Sequence, residues 1–194
     1  DLGVLDLADI KEKMINLKKN QGRVLLVIND PCHNPTGYTM KHEEWVRLID
    51  IINELSSDGT PIILVHDMAY IDYAAGGFES TRKNIRLYEN INDSVMVVMA
   101  FSGSKTLALY GVRIGAQIAV CKNQRDIDEF NSANKFSSRS KWSNSTNLGM
   151  SIIEHVILDN EKRIKFEAEL ENARNVLISR ANTFLASANE CGLK

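Results

Sequence analysis

Short apolar runs and longer apolar stripes alternate along the chain. Residues 24–28, 61–66 and 94–100 are almost continuously apolar, the pattern of strands buried on both faces of a sheet. Between them the apolar residues recur at helical spacing. Ile10, Met14 and Leu17 do so within residues 7–19, and Trp45, Leu48, Ile49 and Ile52 within residues 39–56. Gly22 and Gly59, each after polar residues, close these two helices. Residues 29–38 and 67–77 read as loops, the first holding two of the three prolines. A turn over residues 102–111 leads to a fourth strand at 112–120. Helical patterns follow at 123–134, 148–158 and 160–188. Strands alternating with helices predict a parallel sheet with right-handed crossovers. The link from the third strand to the fourth, about ten residues, is too short for a covering helix, so the fourth strand should run antiparallel. The expected fold is α/β: about four strands in consecutive order, mostly parallel with the last reversed, and helices on both faces.

Composition narrows the class. A hydrophobic share of 44% and a charged share of 25% are those of a globular domain that can bury a core. A net charge of −2 gives no electrostatic reason to expect nucleic acid or an acidic membrane as partner. The longest apolar run, residues 95–101, is far too short to span a bilayer. Three scattered cysteines, Cys32, Cys121 and Cys191, make no disulfide framework, and a reducing cytoplasm is the simplest setting. Cys32 and His33 adjoin each other, but no second Cys/His cluster lies at metal spacing, so no metal is expected.

The candidate chemistry follows the ends of three strands, where open α/β sheets bind ligands. Asn34-Pro35-Thr36-Gly37, Asp67-Met68-Ala69-Tyr70 and Ser102-Gly103-Ser104-Lys105 occupy those places. A lysine partly enclosed beyond a buried strand can lose its proton and form a Schiff base. It is not a nucleotide phosphate loop, because Ser104 and Met99 stand where that motif needs glycine. An aspartate at the next strand end can keep a proton on a pyridine nitrogen, making the ring an electron sink. Arg113, eight residues after Lys105, can bind a phosphate through a fork of charged hydrogen bonds. Taken singly, each residue also has a plain structural reading: a surface lysine, a capping aspartate, a packing tyrosine, an Asn-Pro turn, an arginine opening a strand.

Their order and company are specific. With Asn34 to Gly37, Asp67, Ala69, Tyr70, Ser102, Lys105 and Arg113 in this order, the chain resembles the class I (fold-type I) aminotransferases of the aspartate and aromatic aminotransferase group. The resemblance covers most of the chain. It implies the central part of a large domain that binds pyridoxal 5'-phosphate. Lys105 then resembles the Schiff-base lysine and Asp67 the partner of the pyridinium. Asn34 and Tyr70 look like the ligands of the phenolic oxygen, and Ser102 and Arg113 those of the phosphate. Arg139, three residues before Trp142 in Arg139-Ser-Lys-Trp142-Ser143-Asn144, is similar to an arginine that reaches into the neighbouring subunit and binds a substrate side-chain carboxylate. The prolines usual after Asn144 are replaced by Ser145 and Thr146.

The resemblance implies ping-pong transfer of an amino group, from aspartate or an aromatic amino acid to a 2-oxo acid such as 2-oxoglutarate, in a homodimer. A fold-type I lyase or decarboxylase would keep Lys105 and Asp67 too. A non-enzymatic regulator would need a DNA-binding region, and none is visible in these residues. The chain is expected to be a portion of a longer protein. Residues 1–160 would form the core of the large domain and residues 161–194 a long helix leading towards a small domain.

Overall fold

The computed structural model describes residues 4–192. Four strands, β1 (Val24–Asn29), β2 (Ile62–Asp67), β3 (Val95–Ser102) and β4 (Gly115–Val120), form one sheet in the order β1-β2-β3-β4. β1, β2 and β3 run parallel, and β4 pairs antiparallel with β3. This is the expected order and the expected reversal. In register, Asn29 lies beside Asp67, Asp67 beside Ala100, and Ser102 beside Gly115. The motif-bearing ends of β1, β2 and β3 therefore share one edge.

Two helices cover one face of the sheet. α1 (Leu7–Gln21) is capped by the Asp6 carboxylate, which accepts from the Asp9 amide, and it ends at left-handed Gly22. In α2 (His42–Ser56) the Glu44 carboxylate reaches back to the Lys41 amide. Leu7 and Met14 of α1, and Trp45, Leu48, Ile49 and Ile52 of α2, pack on Val24, Ile28, Ile62, Leu64, Val95 and Val97. α5 (Gln124–Trp142) lies over the other face, where its Phe130 shares cavities with Ile63, Met96 and Ala100. Helices thus cover both faces, but unequally. β1 and β2 are not buried on both faces as their apolar runs suggest. Leu25, Val27 and Ile63 are 57%, 59% and 40% exposed, because α5 packs on β4 and approaches β2 only across an open cavity.

Shorter elements fill the link from β2 to β3: a 3-10 turn at Ile71–Tyr73, α3 (Gly77–Arg82) and a 3-10 segment at Lys83–Asn90. α4 (Gly103–Thr106) and a 3-10 turn at Tyr110–Val112 join β3 to β4. The fourth strand begins three residues later than expected, because Val112 belongs to that turn and Arg113 adopts a left-handed conformation at φ 56°. α5 continues through the basic, serine-rich stretch 135–141 to Trp142, so Arg139 lies on a helix rather than in a loop. α6 (Asn147–Ile157) and α7 (Asn160–Glu190) complete the chain. Residues 193 and 194, the end of the expected 161–194 segment, lie outside the described residues.

Candidate active site

The loop after β1 is built on a buried carboxylate. Asp30 is 2% exposed; its Oδ1 accepts from the Met40 amide at 2.6 Å and its Oδ2 from Trp45 Nε1 at 2.9 Å. Burial raises the Asp30 pKa, and these two donors counter that shift. Between these anchors the loop folds on itself: the His33 amide bonds the Tyr38 carbonyl, and the Gly37 amide the His33 carbonyl. Gly37 turns with φ 71°, a conformation that glycine adopts without a steric penalty. The Asn34 amide donates to Asn29 Oδ1 at 2.8 Å, which holds exposed Asn34 over the end of β1.

The end of β2 is tied to the end of β1. The Asp67 carbonyl accepts from the Asp30 amide and from Asn29 Nδ2, each at 3.1 Å. The Ala69 amide donates to Asp67 Oδ1 at 3.1 Å, a turn that leads the chain on to Tyr70. Behind Asp67, His66 is buried between Trp45 and Tyr88. Its Nε2 lies 2.8 Å from the Asp30 carbonyl, which can only accept, so Nε2 carries the proton. Nδ1 then accepts from the Tyr88 hydroxyl at 2.6 Å. Burial lowers the His66 pKa to about 4, so the ring is neutral at physiological pH.

Lys105 projects from α4, just past β3. Its Nζ stands 5.9 Å from the centre of the Tyr70 ring and 5.2 Å from that of Tyr110. Its carbonyl accepts from the Tyr73 hydroxyl at 3.1 Å, and Thr106 Oγ1 donates to the Ala69 carbonyl at 3.4 Å. The Lys105 turn and the Asp67–Tyr73 turn are therefore laced together. Arg113 stacks on Tyr110, 5.0 Å from its ring centre, while its Nη1 donates to Ser104 Oγ and to the Tyr110 carbonyl.

A cavity of about 730 Å³ opens at Lys105. Tyr70, Tyr73, Ser104 and Tyr110 line it with Leu177 and Ile178 of α7. Its size suits a cofactor or a small substrate. Of the residues the sequence singles out, Tyr70 and Lys105 line this cavity, while Asn34, Asp67, Ser102 and Arg113 stand at the same edge of the sheet outside its lining. Exposed Arg139 does not line this cavity; its neighbours Ser138, Lys141 and Trp142 line another, with Ala100 and Phe101. Sequence reasoning missed Tyr73, Tyr110 and the α7 residues. Tyr110 follows Lys105 by five residues in a turn with no motif of its own, and α7 arrives from 70 residues away. Among the described residues no group of three His, Cys, Asp or Glu side chains is placed to hold a metal ion, and no helix is long and apolar enough to cross a membrane.

A lysine-bearing turn at the carboxyl edge of a mixed α/β sheet defines a ligand-binding domain of the open-sheet class. The family model for aminotransferase class I and II matches residues 4–194, and the chain belongs to that family. It is similar along its whole length to an aminotransferase from Anaerococcus prevotii, with a TM-score of 0.94, 33% identity and 47% of that chain covered. An aromatic-amino-acid aminotransferase from Pseudomonas aeruginosa is 28% identical over 88% of this chain and 41% of its own length. An aspartate aminotransferase from the same organism is 29% identical over 79% of this chain and 36% of its own length. The chain spans less than half the length of each of these relatives. An aromatic-amino-acid aminotransferase from Burkholderia pseudomallei, solved covalently bound to pyridoxal phosphate, shares the fold with a TM-score of 0.71 at 24% identity.

Proposed function

We propose that the full-length protein carrying this chain is a pyridoxal-phosphate-dependent aminotransferase. It moves an amino group from aspartate or an aromatic amino acid to a 2-oxo acid such as 2-oxoglutarate, in two half-reactions of a ping-pong cycle. The observation that carries the reading is the lacing of the Lys105 turn to the turn that follows Asp67. An amine and a carboxylate are held there on adjacent strand ends. The names of the relatives, aromatic-amino-acid and aspartate aminotransferases, support the substrate classes.

The donor set fits the cofactor. The Lys105 amine, the Asp67 carboxylate, the Tyr70 phenol, the Asn34 side chain and the Ser102 hydroxyl lie at one sheet edge with the Arg113 guanidinium, whose serine partner is Ser104. Pyridoxal phosphate, when bound, supplies an aldehyde carbon to which amines add and a ring that takes up the electron pair left when the substrate α-proton departs. Lys105 would supply the amine that bonds that aldehyde carbon before substrate arrives. Its freed Nζ then takes the proton from the substrate Cα and returns one, as general base and then acid. Asp67 keeps a proton on the ring nitrogen. Asn34 and Tyr70 donate to the phenolic oxygen, and Ser102 and Arg113 hold the phosphate. Apolar Leu177 and Ile178 of α7, 50% and 47% exposed, line the same cavity as the Lys105 amine.

In this reading residues 1–160 are the cofactor-binding core and residues 161–194 the helix that leads out of it. The protein acts as a homodimer in the cytoplasm. Exposed Arg139, outside the Lys105 cavity of its own chain, is free to serve the substrate carboxylate in a second subunit. The test is borohydride reduction of the full-length protein followed by peptide mapping. Reduction should abolish an absorption band at roughly 360–430 nm and leave a pyridoxyl group on Lys105; Lys105→Ala should show neither. A wild-type protein without that adduct overturns the reading. With the adduct present, failure to make a new amino acid from 2-oxoglutarate would point to a lyase or decarboxylase instead.

A further inference from the structure

We propose that Tyr73 is a positioning residue for Lys105, and that α7 clamps the turn carrying Tyr73 through Arg174. This rests on the reading of Lys105 as the cofactor lysine. The Lys105 carbonyl has two lone pairs, and both are used. The Ala108 amide and the Tyr73 hydroxyl each donate to it at 3.1 Å. Ala108 itself sits at φ 52°, a left-handed conformation that residues with a Cβ rarely adopt. Such a conformation persists only where its surroundings fix it. The turn that aims Lys105 is thus held from outside by a hydroxyl 32 residues away. Burial, with the Asp72 charge adding to it, raises the Tyr73 pKa, so the hydroxyl stays a donor. The Tyr73 ring also lines the Lys105 cavity.

The clamp lies next to Tyr73 in the chain. Asp72 is 2% exposed, and its carboxylate accepts from Arg82 Nη2 at 2.6 Å. The Asp72 carbonyl accepts from Nη1 of Arg174, which is 5% exposed on α7, at 2.6 Å. Arg174 also pairs with Glu171 on its own helix. Gly77 leaves room for the clamp, since a Cβ there would stand 3.2 Å from Arg174 Nη2. One and two turns further along, Leu177, Ile178 and Ala181 of α7 form a wall of the Lys105 cavity. A contact path therefore runs from α7 through Asp72 and Tyr73 to the Lys105 backbone. Tyr73 acts through its hydroxyl and Arg174 through its guanidinium, so variants that keep the bulk and remove the donor isolate the effect.

The experiment uses the full-length protein with Tyr73→Phe and Arg174→Met. Glu171 is 56% exposed and stays solvated when Arg174 is replaced. Amide hydrogen exchange over residues 103–109 should quicken about 2- to 10-fold in Tyr73→Phe, the worth of one neutral hydrogen bond, with β2 amides unchanged. kcat should fall by a similar factor while KM stays within about twofold, since the lysine is misaimed rather than the substrate unbound. Arg174→Met should quicken exchange over both 71–73 and 103–109. Unchanged exchange at 103–109 in Tyr73→Phe overturns the positioning role, and unchanged exchange at 71–73 in Arg174→Met overturns the clamp; faster exchange confined to 71–73 in that variant overturns the path from α7 to the Lys105 backbone. Borohydride trapping on wild-type Lys105 is scored separately. Its failure overturns the cofactor reading alone, because the exchange rates report the tie without cofactor.

Discussion

The neutral, buried His66 makes stability depend on pH in a way that one substitution can isolate. Its ordinary pKa is 6.5, and burial lowers it to about 4 in the folded protein. Below the ordinary value the unfolded chain binds a proton that the folded chain refuses, so stability falls as pH falls from 6.5 towards 4. Beneath that window both states are protonated and the loss levels off. At about 1.4 kcal/mol per pKa unit, the loss between pH 7 and about pH 5 is about 2 kcal/mol, and in full about 3 kcal/mol. Asp30 acts oppositely. Its folded pKa is raised, so it gains stability as pH falls through that value towards the unfolded 3.8. Glu44, desolvated but held low overall by the Tyr38 hydroxyl and by backbone amides, loses stability only below its ordinary 4.5. Stopping at about pH 5 keeps the Glu44 contribution small, and the Asp30 contribution, present in wild type and His66→Gln alike, cancels in the comparison. The assay is urea unfolding followed by the fluorescence of Trp45, which is fully buried, its ring centre 4.7 Å from that of His66. His66→Gln should lower stability at pH 7 by about 1–3 kcal/mol, because Tyr88 and the Asp30 carbonyl lose well-aligned partners. It should also remove the extra loss on acidification, so the wild-type advantage shrinks as pH falls. An equal pH slope in wild type and His66→Gln would falsify the neutral-histidine account.

Two further substitutions probe the frame around Lys105. A Cβ on Gly115 would meet the Phe101 carbonyl oxygen at 2.6 Å, and its nearest neighbours are all β3 backbone, which leaves no easy relief. Gly115→Ala should therefore cost about 1–3 kcal/mol in urea unfolding, and an unchanged midpoint would show that the β3–β4 pairing tolerates more than this geometry allows. Arg113→Lys loses the fork that reaches Ser104 Oγ and the Tyr110 carbonyl. Pyridoxal phosphate Kd, measured by equilibrium dialysis, should rise about 10- to 100-fold with stability within about 0.5 kcal/mol, because Arg113 is exposed; an unchanged Kd would remove Arg113 from the phosphate site.

The order of the sheet was legible because chain length constrains topology. Residues 103–114, between β3 and β4, are too few to cross the sheet, so β4 had to reverse, as it does. Coverage of the faces was not legible. Leu25 and Val27 are as apolar as Leu26 and Ile28, and nothing local in residues 24–28 says that only the latter pair meets α1 and α2. The end of α5 was hidden for a related reason. Serines at 137, 138 and 140 weaken helical propensity, yet α5 runs through them to Ser143, where φ 64° ends it.

The site divides along the same line. Asp67 and Ser102 end their strands, and Asn34 and Lys105 follow a strand end within a few residues, so finding the strands placed them at one edge without any knowledge of contacts. Tyr73 carries no such mark. Its hydroxyl bonds a backbone carbonyl, and every residue offers the same acceptor, so no residue type at Lys105 or elsewhere signals the pairing. Arg174 is hidden still more deeply, 102 residues from the carbonyl it bonds and set among exposed charged residues of α7. Side chains that do chemistry leave their trace in residue type at a predictable turn. Side chains that aim them work through main-chain acceptors, which are alike at every position, and only the folded chain tells them apart.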